Sequence, residues 1–475
     1  MKKILTLLII IILTNNLYSQ NVVDKFVGNW DGTLKTKGIV LRIIFKIKKV
    51  NDTTLDAKFD VPEQFAYNVP IDKIYIKGDT ITLKNFNYHI KLTGFIKNST
   101  FIGFYKQLQY TANIILTNNK NYKISDFLRP QTPKPPYPYK TEEVKIEDKE
   151  HNVTLAGTLT IPDYEKNYPV VIMVTGSGPQ NRDEELFMHK PFLVIADYLT
   201  RHGIAVLRYD DRGFGESVGN YNLSTTKDFA QDALNVVNFL RNHKNIDKNN
   251  VGIIGHSEGG IIAEMLASDK KNKINFIVLL SAPGVPTSEL MLDQNKDISR
   301  LNKIDPKIIE RNYKLNSELY QVIKTENNNV NANKKLQQVF NKYTKDLTKE
   351  QLEEQGLTKN FINSIIFQSL TPWFKYFIKI NPADYLQKIT CPILALGGSN
   401  DLQVRANKNL KAIKDNTSKN GNKNVTVKEL PELNHLFQHS KTGLPQNYKD
   451  IEETFAPEAL KIISDWINKT VKETK

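Results

Sequence analysis

The first place in this chain where chemistry can be read is a serine flanked by glycines at the end of an apolar run. Residues 251–260 spell Val-Gly-Ile-Ile-Gly-His-Ser-Glu-Gly-Gly, and a helical run, Ile261 to Ala267, follows. A buried strand, a tight turn and a helix lift a serine hydroxyl clear of a sheet and aim a helix N-terminus at the oxygen that becomes negative in acyl transfer. Ser257 is therefore the candidate nucleophile, with the backbone N–H of Glu258 as one oxyanion donor. Gly255 and Gly259 are expected where neighbouring chain passes too close for a side chain.

A hydroxyl is a poor nucleophile at neutral pH and needs a base, which an acid must orient. In this arrangement both follow the serine, acid first. Of the eight histidines, only His435 and His439 follow the last expected strand, Val425 to Leu430. His435, in Leu433-Asn434-His435-Leu436-Phe437, stands at the expected distance and is favoured over His439. The loop Gly398-Ser399-Asn400-Asp401-Leu402-Gln403-Val404 holds one carboxylate, Asp401. A helix N-cap is the competing role for it, and Glu432 is the second candidate acid. A further oxyanion donor is expected from Gly176-Ser177-Gly178-Pro179, through the N–H of Ser177 or Gly178.

Other polar and aromatic residues fall near these loops. Arg182 and Asp183 are candidates for substrate contact, whereas Arg208, Asp210, Asp211 and Arg212 read as a scaffold of charges paired beside a strand end. Trp373, Phe374, Tyr376 and Phe377 either line an acyl pocket or simply pack. No HExxH, CxxC, phosphate-loop or dinucleotide pattern appears, so no metal or organic cofactor is called for. The expected partner is a small acyl compound, not nucleic acid.

The elements that must position these residues follow from periodicity. Short apolar runs at Val170 to Thr175, Ala205 to Arg208, Val251 to Gly255, Ile277 to Ser281 and Ile393 to Gly397 alternate with helical segments, which predicts a doubly wound, mostly parallel sheet. Val144 to Glu147 and Val153 to Ile161 read as an antiparallel pair ahead of it. About a hundred residues of helical pattern, roughly 285–382, interrupt the strands and are expected to form a cap over the carboxyl end of the sheet. Before all this, residues 22–122 alternate apolar and polar in short runs, a meander of about eight antiparallel strands. The five prolines within residues 129–138 mark a linker, placed over residues 123–140. The hydrolytic residues then fall in 141–475.

Composition sets the outer bounds. With 475 residues, two or more folded units are expected. The net charge of +14 reads as lysines scattered over the surface, because no run of five or more basic residues occurs. Lys2 and Lys3, the apolar run Ile4 to Leu13 and a polar stretch to Gln20 form an export signal, cleaved after residue 19. The mature protein is expected in the periplasm or outside the cell, with no stable membrane anchor. Cys391, the single cysteine, sits beside an apparent core strand and reads as a buried thiol.

Four segments carry a resemblance: GSGPQNRDE (176–184), LRYDDRGFGES (207–217), GHSEGG (255–260) and GGSNDLQV (397–404). Over about residues 140–472 the chain resembles the bacterial esterase group of the α/β-hydrolase superfamily, near the serine aminopeptidase and dienelactone-hydrolase branches. The resemblance implies a Ser257–Asp401–His435 triad and turnover of short-chain esters. A peptidase or amidase with the same triad is the alternative, and a ligand-binding protein with a vestigial hydrolase domain is a third reading. Two departures stand out: Asn181 occupies a position where relatives often carry Asp, and the nucleophile is Ser where dienelactone hydrolases proper use Cys. The opening Gly28-Asn29-Trp30-Asp31-Gly32-Thr33-Leu34 resembles that of small lipocalin-like barrels, in which the Trp plugs the floor.

Overall fold

The computed structural model describes residues 23–36, 39–62, 66–108, 110–122, 129–355 and 357–473, so the expected export signal lies outside the described residues. The chain divides into two units, the second beginning at Arg129.

The first unit is a meander of nine strands, one more than the alternation predicts: β1 (Gly28–Thr36), β2 (Ile39–Lys49), β3 (Leu55–Val61), β4 (Ala66–Pro70), β5 (Lys73–Lys77), β6 (Thr80–Asn85), β7 (Ile90–Lys97), β8 (Thr100–Gln107) and β9 (Tyr110–Asn118). All pairings are antiparallel and the order is β4-β3-β2-β1-β9-β8-β7-β6-β5, an open barrel whose first and last strands meet. β4 is short, and its sequence carries only a weak alternation. Inward positions such as Phe45, Phe59, Phe101 and Leu116 fill the interior. Trp30 belongs to that core: its Nε1 donates to the Phe26 carbonyl at 2.7 Å, so the indole is buried with its polar atom satisfied.

In the second unit eight strands form one sheet: β10 (Lys140–Asp148), β11 (Val153–Ile161), β12 (Tyr168–Val174), β13 (Ala205–Tyr209), β14 (Ile246–His256), β15 (Phe276–Leu280), β16 (Ile393–Gly398) and β17 (Val425–Leu430). The order is β10-β11-β13-β12-β14-β15-β16-β17; β10 and β11 are antiparallel and β12 to β17 run parallel. This is the α/β-hydrolase sheet that the resemblance implies. Each face needs cover, because both sides of these strands are apolar. Helices 226–241, 258–268 and 406–418 pack on one face, and helices 191–201 and 457–473 on the other.

The proline-rich stretch is bound to this unit from Arg129 onward. The Arg129 guanidinium donates to the carbonyls of Phe187, Lys449 and Ile451, and Gln131 both donates to Phe455 O and accepts from Thr454 N. Between β15 and β16 the chain is helical, from Thr287–Leu301 through Ala383–Leu386, with a small core of its own around Leu319, Leu336, Phe340 and Ile366. Burial pushes the Cys391 thiol up to about 12, in keeping with an inert side chain.

One buried group in this unit carries a testable cost. Glu264 lies in the helix Glu258–Ser268, 0 % exposed, and neither carboxylate oxygen has a hydrogen-bond partner among the described residues. Burial holds its pKa well above the usual carboxylate range. The folded state therefore keeps a proton that the unfolded chain releases. Its penalty is absent below the unfolded pKa and grows as pH rises towards the folded one. Glu264→Leu is expected to stabilise the protein at pH 8 by about 1–3 kcal/mol and to have a much smaller effect at pH 4. Urea unfolding at both pH values measures this; a destabilised variant at pH 8 contradicts it.

Candidate active site

The turn after β14 forces Ser257 to φ 53° and ψ −119°, a conformation that non-glycine residues rarely adopt and that only surrounding structure can maintain. That surrounding structure is the crossing of chain. A Cβ on Gly255 would stand 2.1 Å from the Gly259 carbonyl oxygen, and one on Gly259 would stand 2.1 Å from that of Val174. Both positions exclude any side chain, as expected. The Ser257 N–H bonds to Leu280 O at 2.9 Å, which ties the turn to β15.

The loops after β16 and β17 bring Asp401 and His435 together. His435 Nδ1 lies 2.8 Å from Asp401 Oδ2, and both side chains are almost wholly buried. The other Asp401 oxygen accepts the N–H groups of Gln403 and Val404, each at 2.8 Å. Asp401 is not a helix cap: the following helix, Ala406–Ser418, is preceded by Arg405, with no side-chain cap bond. The alternatives fall elsewhere. Glu432 is exposed, and His439 is turned outward to Glu453 at 2.8 Å and Glu458 at 3.1 Å.

His435 and the serine turn meet through His256, whose ring centroid is 4.7 Å from that of His435 and whose Nε2 lies 3.0 Å from His435 O. Among the described residues no hydrogen bond joins Ser257 to His435; such bonds are commonly long before substrate binds. His256 Nδ1 is 2.9 Å from Glu184 Oε1, and the same oxygen accepts the Gly176 N–H at 2.9 Å. Burial alone would lower the His256 pKa, but the Glu184 carboxylate more than offsets it and the net shift is upward. Glu184 and His256 thus join three pieces: the Gly176 loop, the serine turn and the His435 loop. Sequence reasoning missed this pair. Both residues lie inside the motifs 176–184 and 255–260, but only the fold shows that they touch.

The Gly176 loop approaches the serine closely, since a Cβ on Gly176 would be 3.2 Å from Ser257 Cβ. The Gly176 N–H is taken by Glu184, and the Gly178 backbone faces the Tyr221 hydroxyl. Of the two donors expected from the loop, Ser177 N–H is the one left facing no such partner among the described residues. The Ser177 hydroxyl donates to Glu258 Oε2 at 2.6 Å. Thr226 donates to the same carboxylate at 2.7 Å and Trp373 Nε1 at 2.9 Å. Burial pushes the Glu258 carboxyl upward, and these three donors pull against that shift.

The candidate substrate contacts Arg182, Asp183 and Trp373 are bound to other groups of the protein. Every guanidinium nitrogen of Arg182 is engaged: Nε and Nη2 with Asp210, Nη2 also with Glu216, and Nη1 with Glu143 and Thr158. Carboxylates from β10 and from the segment after β13 thus saturate its fork, as they would for a scaffold residue. Asp183 is likewise held by Arg208 and by Lys190. Arg212 grips Asp232 bidentately, and Asp211, pushed up to about 8 by burial, fixes Thr175 and Gln180, as a scaffold should. Trp373 spends its indole N–H on Glu258 and stacks on Phe377 at 5.2 Å, so it fastens the helical insertion to the serine turn.

With this geometry in view, known proteins give a consistent comparison. Residues 151–430 match the sequence pattern of the X-Pro dipeptidyl-peptidase family, peptidase S15. The esterase EstD of Thermotoga maritima is 26 % identical over 326 residues, 68 % of this chain and 68 % of that protein. Among solved structures, an esterase of Pyrococcus furiosus covers 70 % of this chain and 91 % of its own at 17 % identity, with a TM-score of 0.43. The α/β hydrolase GrgF from a Penicillium species covers 70 % and 99 % at 16 % identity, with a TM-score of 0.41.

Proposed function

The chain belongs to the peptidase S15 family and is a hydrolase of esters or peptides; from that premise we propose that it cleaves short-chain carboxylic esters through Ser257, His435 and Asp401. Ser257 Oγ attacks the ester carbonyl while His435 Nε2 takes its proton. The N–H groups of Glu258 and Ser177 hold the oxyanion, and Asp401 fixes the imidazole through Nδ1. His435 returns the proton to the departing alcohol. Water, deprotonated by the same imidazole, then releases the acid and restores Ser257. With residues 1–19 removed, this reaction takes place outside the cytoplasm.

The observation that supports the reading is the buried His435–Asp401 pair packed against His256, the residue before a serine held at positive φ. The family's description favours a second reading, release of an X-Pro dipeptide. That reaction needs a free carboxylate for the substrate's terminal ammonium. The carboxylates at the serine turn are already committed: Glu184 to His256, Glu258 to three donors, Asp401 to His435. Ester cleavage makes no such demand.

Comparing kcat/KM for p-nitrophenyl acetate and butyrate with that for an Ala-Pro p-nitroanilide tests the choice. The esters are expected to lead by roughly 100-fold, the scale on which an unmatched polar group is rejected. A higher kcat/KM for the dipeptide anilide would replace the ester reading with the peptidase one.

A further inference from the structure

The scattered lysines of the sequence do not stay scattered. Strand register in the first unit places Lys73 opposite Lys84, Lys84 opposite Lys91 and Lys91 opposite Lys106. Four lysines therefore form one row across β5 to β8, on the outer face of strands that lie about 4.8 Å apart in the pairing direction. Like charges directly opposite one another destabilise a sheet. Some basic residues elsewhere in this unit are neutralised: Arg42 pairs with Asp31, Lys46 with Asp60 at 2.6 Å, and Lys49 with Asp24 at 2.9 Å. Among the described residues, none of the four ladder lysines makes an ion pair. The nearby acids are used otherwise, Asp79 by Lys25 and Asp72 by the Phe86 N–H.

The same face continues into apolar side chains. Two residues along the strands, Thr93 stands opposite Phe104. Two further on, Phe95, Ile102 and Ile115 form a continuous row across β7, β8 and β9. Phe95 is 41 % exposed, Phe104 47 % and Ile115 64 %. Large apolar groups at this exposure beside lysines that have no carboxylate partner, Lys84 lying over the Tyr75 ring at 5.2 Å, call for a partner that is anionic in one layer and apolar in another.

We propose that this outer face of β5–β9 docks the protein onto a lipid surface bearing anionic headgroups. The lysines reach the headgroups, with their aliphatic stems lying along the apolar region, while Phe95, Phe104 and Ile115 enter the boundary with the acyl chains. An anionic polysaccharide or a nucleic acid would satisfy the lysines but leave Ile115 in water. The contact is peripheral, since no helix among the described residues is long and apolar enough to cross a membrane.

Flotation with lipid vesicles tests the proposal, using the chain from residue 20 onward so that the apolar run near the N-terminus contributes nothing. Binding is expected to phosphatidylcholine vesicles containing about 30 % phosphatidylglycerol and not to phosphatidylcholine alone, and it should weaken as ionic strength rises from about 0.05 to 0.5 M. Replacing Lys73, Lys84, Lys91 and Lys106 by Gln should lower the partition coefficient at least about 100-fold, since each lysine near an anionic surface is worth several-fold. Ile115→Ser with Phe95→Ser should also weaken binding, and both variants should keep ester turnover. A charge-matched control, with Lys307, Lys334, Lys345 and Lys349 changed to Gln, should bind like the parent. Failure of the parent to float, equal loss in the control, unchanged binding by either face variant, or binding to heparin or an oligonucleotide but not to vesicles would each overturn the proposal.

Discussion

Ser257→Ala is expected to lower the turnover of p-nitrophenyl acetate by on the order of 10⁴-fold or more, with the midpoint of thermal unfolding essentially unchanged. The size follows from what is removed. Without Oγ there is no acyl-enzyme, and His435 has no hydroxyl to deprotonate. The oxyanion donors and the substrate site remain, so a residual rate above that in water should persist. Stability should hold because alanine keeps the Cβ, and the bonds that impose φ 53° are backbone ones, from Ser257 N to Leu280 O and from Gly260 N to Ser257 O. A fluorophosphonate should label the parent at Ser257 and leave the variant unlabelled. Undiminished turnover, or labelling of the variant, would remove Ser257 from the mechanism.

How much of this could be read from sequence depends on the range of the interaction concerned. The serine turn is local: strand, Gly, Ser, Gly and helix lie within about twenty residues, so both its place and the need for Gly255 and Gly259 are legible. The order of acid and histidine is a property of the sheet, and with so few histidines beyond Leu430 the choice of His435 was narrow. Arg182 illustrates the opposite case. Its motif shows an arginine beside a candidate oxyanion loop, but the partners that saturate it come from two other segments, Glu143 from β10 and Asp210 and Glu216 from the segment 207–217. The bond of Trp373 to Glu258 was illegible for the same reason, since the two lie 115 positions apart. The lysine ladder is a matter of register: residues 73, 84, 91 and 106 are far enough apart to look dispersed, and only β-pairing aligns them.

Asp401→Asn is expected to reduce kcat by about 10³–10⁴-fold while leaving the loop intact, and this separation is what makes it informative. Asp401 performs two tasks with two oxygens. Oδ1 accepts from Gln403 N and Val404 N, and Oδ2 faces His435 Nδ1. An asparagine that keeps its carbonyl oxygen on the two backbone donors preserves the turn. It then presents an NH₂ group to His435 Nδ1, which makes Nδ1 the acceptor and places the ring proton on Nε2. An imidazole in that tautomer cannot take the Ser257 proton, and the developing imidazolium loses its counter-charge. His435→Ala should cost at least as much. His439→Ala should stay within about 3-fold of the parent, because that ring is held outward by Glu453 and Glu458. Steady-state kinetics on the three variants decides the assignment. If His439→Ala is the damaging one, the base has been misassigned. If Asp401→Asn retains full activity with a native unfolding transition, the aspartate serves only the loop, and another group must set the histidine tautomer.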